Sequence, residues 1–320
     1  MRNSNGMAIA IAWPEFFGKQ TGSWYDTPMR WLGINRNFHY KVGHAALILV
    51  DITSGACYHF DCGRYHAPYQ HGRIRDASTD TNLTIQHKAV ISGYTIVNLG
   101  DILHEVQMNK SCFGVGPLYA SYSQVNFDFA WQKVKELQSK GAIPFGPFDI
   151  NGTNCCRFVR TGILAGSPPA TQRLKLHYFW PLKPTPMGNV ACLGGQMTIP
   201  VIRNSNETGR EPKPLSMVVY NKNNVHGTLP SPAIPGNIPP DSQWLSGEVT
   251  GGWFHLTAQE NNYAITRYSA DGALECTGQF RLADPRGFNP KRPYVFTHVS
   301  HCKQVMIKQE KVVFEFNRIP

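Results

Sequence analysis

Asn154, Cys155 and Cys156 open the apolar run Arg157-Phe158-Val159, directly after a loop broken by Gly146, Pro147 and Gly152. Asparagine is a strong helix N-cap, so the spacing predicts a helix that starts at Cys155, buries Phe158, Val159 and Ile163, and ends at Gly166. A thiol in the first turn lies at the positive end of the helix dipole. Free backbone N–H groups there favour a thiolate over a thiol and can also point at an oxyanion, so one local geometry meets two needs of acyl transfer. Cys156, one residue on, is turned about a quarter-turn away and reads as packing.

The missing base is expected upstream. In Val42-Gly43-His44-Ala45-Ala46-Leu47-Ile48-Leu49-Val50-Asp51 a histidine starts a strand-like run that is otherwise small and apolar. A buried imidazole needs partners for both nitrogens, which makes His44 a poor choice for packing alone. After the turn Thr53-Ser54-Gly55 comes a second strand-like run, Cys57-Tyr58-His59-Phe60-Asp61, in which His59 and Asp61 share a face at period two. Either could hold the imidazole of His44. Asp61 is preferred, because a carboxylate that accepts the imidazole N–H orients the ring and stabilises its charged form.

Histidine at the head of a β-hairpin, a polar residue on the second strand and a later Asn-Cys-x-x-Phe-Val helix start together resemble the circularly permuted papain-like superfamily. That group includes the lecithin retinol acyltransferase-like proteins and the permuted NlpC-type peptidases and amidases. Ala12-Trp13-Pro14-Glu15, Lys41 to Ala46, Phe60 to Pro68 and Trp244-Leu245-Ser246-Gly247-Glu248 also look like a bacterial family of unassigned activity. The superfamily resemblance covers roughly the first two thirds of the chain. It implies Cys155 as nucleophile, His44 as base, a third position open between Asp61 and His59, and a thioester acyl-enzyme. The activity it implies is that of a cysteine hydrolase (peptidase or amidase) or an acyltransferase, acting on a peptide, amide or lipid acyl substrate without a cofactor. The alternative is a non-catalytic ligand-binding protein on the same scaffold.

With 320 residues and 42% hydrophobic content the chain can bury a sizeable core. The apolar stretch from Met7 to Trp13 is too short for a signal segment or a membrane span and reads as a buried strand. Eight cysteines without a repeated spacing, in a chain with no evident export signal, are expected as reduced thiols, and the expected location is cytoplasmic. Zinc is the rival reading for Cys57, His59 and Cys62 and for His298, His301 and Cys302, but neither group has paired ligand knuckles, so no metal is expected. No phosphate loop, Gly-x-Ser-x-Gly elbow or His-Glu-x-x-His helix occurs, which removes the usual support for nucleotide, serine hydrolase and zinc peptidase chemistry.

The formal charge of +10 comes from scattered basic residues, with no basic helix or nucleic-acid module, so nucleic acid is not an expected partner. One segment concentrates cations and rings: Arg64 to Arg75, on the loop expected to leave the hairpin beside the cysteine. Arg64, Tyr65, His66 and Tyr69 are its candidate substrate contacts, weighed against an ordinary solvated loop. Asp26 and Glu15, near aromatic residues, are weighed as site residues against surface or capping roles, which are the default.

The elements that must position these groups form an α+β fold: a permuted papain-like domain over residues 1–204, a polar linker at 205–214 and an all-β accessory domain, sandwich or barrel, over 215–320. The first domain is expected to hold strands at Met7–Trp13, at the His44 hairpin and at Lys88–Asn98. An amphipathic helix follows between Ser123 and Lys140, then the Cys155 helix and further strands at Leu174–Trp180 and Gly195–Ile202. The second domain alternates in short runs at Met217–Tyr220, Gly252–Leu256, Tyr263–Tyr268, Gly278–Phe280, Tyr294–Phe296 and Lys311–Phe316, with an Asp271-Gly272 hairpin turn.

Overall fold

A computed structural model describes residues 4–112, 114–178, 184–200, 227–284 and 287–319. Strand β1, Gly6–Trp13, is buried at every position. Its alternation sends Met7, Ile9, Ile11 and Trp13 to one core and Ala8, Ala10 and Ala12 to the other. The small alanine face leaves room for helices to lie close to the sheet, while the large face fills the opposite layer.

Around β1 run β2 (His44–Asp51), β3 (Cys57–Gly63), β4 (His71–Arg75), β5 (Leu118–Val125), β6 (Ile143–Pro144) and β7 (Met197–Ile199). They form an antiparallel sheet in the order β6-β4-β3-β2-β1-β5-β7. Among the described residues, helix α1 (Leu99–Met108) covers the large face with Ile102, Leu103 and Val106. On the alanine face lie α2 (Phe127–Ser139), α3 (Cys155–Ala165), α4 (Ala170–Tyr178) and α5 (Pro186–Leu193). Between β1 and β2 the chain makes an excursion of three short strands, Phe17–Lys19, Asn35–Arg36 and His39–Lys41, and one helical turn, Asp26–Trp31.

Three expected elements differ. The run at Lys88–Asn98 forms only a short hairpin, Ile91–Ser92 with Thr95–Ile96, about Gly93 at φ 59°; among the described residues it pairs with no other strand, and Val90, Tyr94 and Val97 stay exposed. The run from Leu174 to Tyr178 is helical, the end of α4, because its helix-forming Gln172, Arg173, Leu174 and Lys175 follow α3 on the same layer and only Leu176 needs burial. The helix expected from Ser123 starts at Phe127, where Asn126 accepts from Phe129 N at 2.9 Å; Ser123 instead belongs to β5, where Ser121 and Ser123 pair with β1. At Gly195–Ile202 the strand is confined to Met197–Ile199, and residues 201 and 202, like Phe179 and Trp180, lie outside the described residues.

The second sheet holds β8 (Gln243–Leu245), β9 (Gly252–Ala258), β10 (Tyr263–Tyr268), β11 (Leu274–Leu282), β12 (Val295–Thr297), β13 (Gln304–Gln309) and β14 (Val312–Arg318), in the order β8-β9-β10-β11-β14-β13-β12. Its ends nearly close on each other: the Gln243 side chain donates to Tyr294 O at 3.0 Å and accepts from Phe296 N at 3.2 Å. Phe254, Phe280, Phe288, Phe314 and Phe316 fill the interior. Gly272 turns the β10–β11 hairpin at φ 84°, as the Asp-Gly pair predicts. The expected strand at Met217–Tyr220 and the 205–214 linker lie outside the described residues. The expectation of reduced thiols is corrected at one place: Cys276 of β11 is bonded to Cys302, while six cysteines are free. Among the described residues, no helix is long and apolar enough to cross a membrane.

Candidate active site

His44 is the first residue of β2 and pairs with Trp13, the last of β1. Gly43 delivers it at φ 69°; a Cβ there would meet Pro186 at 2.9 Å and Trp13 O at 3.1 Å, so the approach of chain to chain requires glycine. The imidazole stacks on Trp13 with centroids 5.7 Å apart and has Phe16 at 5.6 Å. It is buried, with its polar edge turned to three groups: Asp61, Tyr65 and Cys155.

Asp61 sits on β3, opposite Ala46 of β2 on one side and Arg75 of β4 on the other. Its carboxylate accepts two bonds from Arg75, Nε to Oδ1 at 2.9 Å and Nη2 to Oδ2 at 2.6 Å, and Oδ2 lies 3.8 Å from His44 Nε2. Burial alone would raise the Asp61 pKa, but the Arg75 charge and then His44 hold it below the usual carboxylate range. The Tyr65 hydroxyl is 3.4 Å from His44 Nε2, and the Arg75 guanidinium lies 4.0 Å from the Tyr65 ring centroid. Gly63 makes room for that ring, since a Cβ would come within 2.2 Å of it.

From the opposite layer, α3 presents Cys155. Asn154 caps the helix by accepting from Arg157 N at 2.9 Å, as its sequence predicts. Cys155 is partly buried, and its sulfur is 3.7 Å from that of buried Cys156. The Cys156 S–H beside it, together with the hydrogen bond from His44 and the Ala45 backbone N–H, holds Cys155 well below the ordinary thiol range although burial opposes this. Cys156 is pushed up by the same contact and by burial. Burial would lower the His44 pKa, but the neighbouring Asp61 and Cys155 outweigh it and push the ring up to about 9. A thiolate facing an imidazolium, with a carboxylate behind the ring, is the state these partners favour near neutral pH.

His59 does not join this group. It lies opposite Ile48, further along β2, with Nε2 4.0 Å from Cys112 Sγ and Nδ1 without a hydrogen-bond partner among the described residues; burial pushes its pKa down to about 4. Cys57 and His59 face one core and Cys62 the other, and Cys302 is in the disulfide. Among the described residues no group of histidine, cysteine or carboxylate side chains is placed to hold a metal ion.

The Arg64–Arg75 segment is not a solvated loop. Arg64 is buried, donating to the Glu248 carboxylate, to Lys19 O and to Gln20 O, and Glu248 also accepts from Gln70 N at 3.0 Å. Arg73 forks onto Asp80 at 2.7 and 2.8 Å, and Arg267 of the second sheet reaches the same carboxylate at 3.0 Å. Most of the segment's cations are thus committed to buried pairs, several joining the two modules. Arg64 and Tyr65 line the cleft above Cys155; His66, at φ 47°, is buried against the second module with its N–H on Thr250 O at 3.2 Å, and half-buried Tyr69 is outside the cleft lining. The cleft holds about 740 Å³ and is walled by the 16–43 excursion, by Phe145–Phe148 and by Leu229, Glu248 and Val249.

Residues 8–171 match the family of type VI secretion system effector TseH-like proteins. The chain belongs to that family. A second family, described as the DUF6695 C-terminal domain, matches residues 242–319. The crystal structure of a type VI secretion system effector, TseH, aligns at 18% identity over 59% of this chain and 88% of that one, with a TM-score of 0.36. No curated protein matches the chain. The TseH-like match contains Trp13, His44, Asp61, Tyr65, Arg75 and Cys155, and the second match coincides with β8–β14.

Sequence reasoning missed Arg75 as the partner of Asp61, Tyr65 as a neighbour of His44 rather than a substrate contact alone, and Glu248 as the anchor of Arg64. The first follows from strand register at β3–β4, which no local pattern states, and Tyr65 lies in the loop between those strands. A buried arginine alternating with Ile74 on a strand was the available hint, since such a cation needs a buried carboxylate.

Proposed function

We propose that this TseH-like effector is a cysteine-dependent hydrolase of peptide or amide bonds on a permuted papain-like scaffold, with Cys155 as nucleophile, His44 as base and acid, and Asp61 as the group that orients His44. The observation carrying this reading is that His44 and Cys155 line one open cleft and act on each other electrostatically, with the Asp61 carboxylate 3.8 Å from His44 Nε2.

The chemistry follows from the charges. The Cys155 thiolate adds to the scissile carbonyl, and the negative charge moves to oxygen, where the Cys155 backbone N–H at the start of α3 is a donor. The His44 imidazolium then protonates the departing amine, the C–N bond breaks and a thioester remains. Neutral His44 takes a proton from water, the resulting hydroxide attacks the thioester, and Cys155 leaves as thiolate. An amine or alcohol in place of water would give acyl transfer by the same steps. Asp61, neutralised by Arg75 on its far side, keeps the ring oriented without itself taking the proton.

The effector family and the Cys276–Cys302 disulfide favour work outside the reducing cytoplasm in which the chain is made, in place of the cytoplasmic location expected from composition. An electrophilic acyl probe should label Cys155, and Cys155→Ala should abolish labelling while the protein stays folded. Unchanged labelling of that variant would move the nucleophile elsewhere, and a folded wild type that no such probe labels would favour a binding protein on this scaffold.

A further inference from the structure

The walls of the cleft carry an imbalance of charge that the catalytic group does not account for. Three cations line it, Lys19, Lys41 and Arg64, against one carboxylate among the described residues, Glu248. Cys155 and His44 offset each other as thiolate and imidazolium and leave the imbalance as it is. Glu248 cannot answer for all three. One of its oxygens takes the Arg64 guanidinium and the other accepts from Gln70 N at 3.0 Å, so both are engaged.

Lys19 is left over. It sits on the Phe17–Lys19 strand, half-buried at the cleft wall, and its Nζ is shielded from solvent with no hydrogen-bond partner among the described residues. An ammonium has three N–H donors, and holding them away from water without an acceptor is unfavourable. Burial pushes its pKa down, Glu248 pulls it up and Arg64 repels it, the pattern of a cation short of an anion. At the rim, Lys41 is exposed and adds to the same field.

Resting on the hydrolase reading above, we infer that the cleft takes an acyl substrate which carries a carboxylate in addition to the scissile carbonyl, and that Lys19 receives that carboxylate. The Arg64–Glu248 pair, fixed from the second module, positions the Lys19 strand, because Arg64 also donates to Lys19 O and Gln20 O. The β-module thereby takes part in substrate choice, and Leu229 and Val249 close the same wall.

Peptidyl acyloxymethyl ketones made as twins, identical except for Glu against Gln at one of three recognition positions, test this on the full-length protein. For at least one position the Glu twin should label wild-type Cys155 ten times faster than the Gln twin at low ionic strength, and added NaCl should shrink the ratio. Lys19→Met should bring the ratio to within twofold of one, and Lys19→Arg should keep it. Equal labelling by both twins at every position, or a ratio unchanged by Lys19→Met, overturns the assignment. A ratio lost in Lys41→Met and kept in Lys19→Met also overturns it, by moving the anion to the rim. If neither twin labels and iodoacetamide also reacts with Cys155 no faster than with an ordinary thiol, the hydrolase reading falls as well; equal labelling sinks the carboxylate alone.

Discussion

Replacing His44 by alanine should slow alkylation of Cys155 strongly at pH 6.5 and barely at pH 8.5. In the wild type, Cys155 is held well below the ordinary thiol range and His44 is pushed up to about 9, so between those limits the sulfur is a thiolate and the ring carries its proton. Alkylation should therefore be nearly flat from about pH 6.5 to 8.5. Without the imidazolium the thiol moves back toward its free value near 8.5, where roughly 1% is thiolate at pH 6.5 and about half at pH 8.5. The expected loss is about a hundredfold at the lower pH and about twofold at the higher. The Cys156 S–H, the largest single cause of the lowering, and the helix N-terminus still act in the variant and reduce the first figure. Iodoacetamide labelling followed by mass spectrometry reads the site directly, because the other five free cysteines are buried and Cys155 alone is partly exposed. His44 is packed between Trp13 and Phe16, so His44→Gln, which fills more of the space, should give the same pH dependence. Equal losses at both pH values in both variants would mean that the ring supports structure and not the thiolate, and would refute the ion-pair argument.

Other consequences concern stability. A folded-state pKa of about 9 against an ordinary 6.5 means that His44 contributes stability fully present below about pH 6.5 and lost as pH rises through about 9; urea unfolding should show the gap between wild type and His44→Gln narrowing over that range. Asp61→Asn leaves Arg75 buried without its counter-ion and should cost about 3–5 kcal/mol at neutral pH, a penalty that shrinks as pH falls below the ordinary carboxylate range because the depressed pKa of Asp61 gives its contribution only above it; adding Arg75→Met should recover part of the loss. Asn154→Ala removes the bond to Arg157 N and should cost about 1 kcal/mol in urea unfolding. The Cys276–Cys302 bond spans 26 residues, and chain entropy assigns such a loop about 3.5 kcal/mol; Cys276→Ser should lower the melting temperature of the β-module, and no shift in calorimetry would contradict that.

Which features could be read in advance depended on how local their causes are. The Asn154 cap, the helix from Cys155 to Ala165, the apolar β1 strand, the Asp271-Gly272 turn and the alternating strands of the second module all follow from propensity, periodicity or turn chemistry within a few residues. Errors fell where neighbours decide. Gln172 to Tyr178 has too little periodicity to choose a state, and the layer formed by α3 and α5 makes it helical. The Lys88–Asn98 run has strand-like residues but, among the described residues, pairs only with itself. The Cys276–Cys302 bond depends on a meeting of β11 with the turn before β13 that spacing alone does not state.

At the site, chain order and residue type were enough to nominate Cys155, His44 and the Asp61 or His59 position, because a capped helix start and a strand-opening histidine are local signatures. The choice between Asp61 and His59 was not local. Both point to the same face of β3, and what separates them is distance from the end of β2: Asp61 pairs with Ala46, two residues from His44, whereas His59 pairs with Ile48 in the core. The fate of Arg64, Arg73 and Arg75 was equally hidden, since a basic run looks the same whether water or buried carboxylates receive it. Residue identity therefore determined which reactive groups this protein owns and which short elements carry them. Strand register and the docking of the β-module decided which charges meet, because electrostatic partners 7 to 187 residues apart in the chain are brought together only by packing.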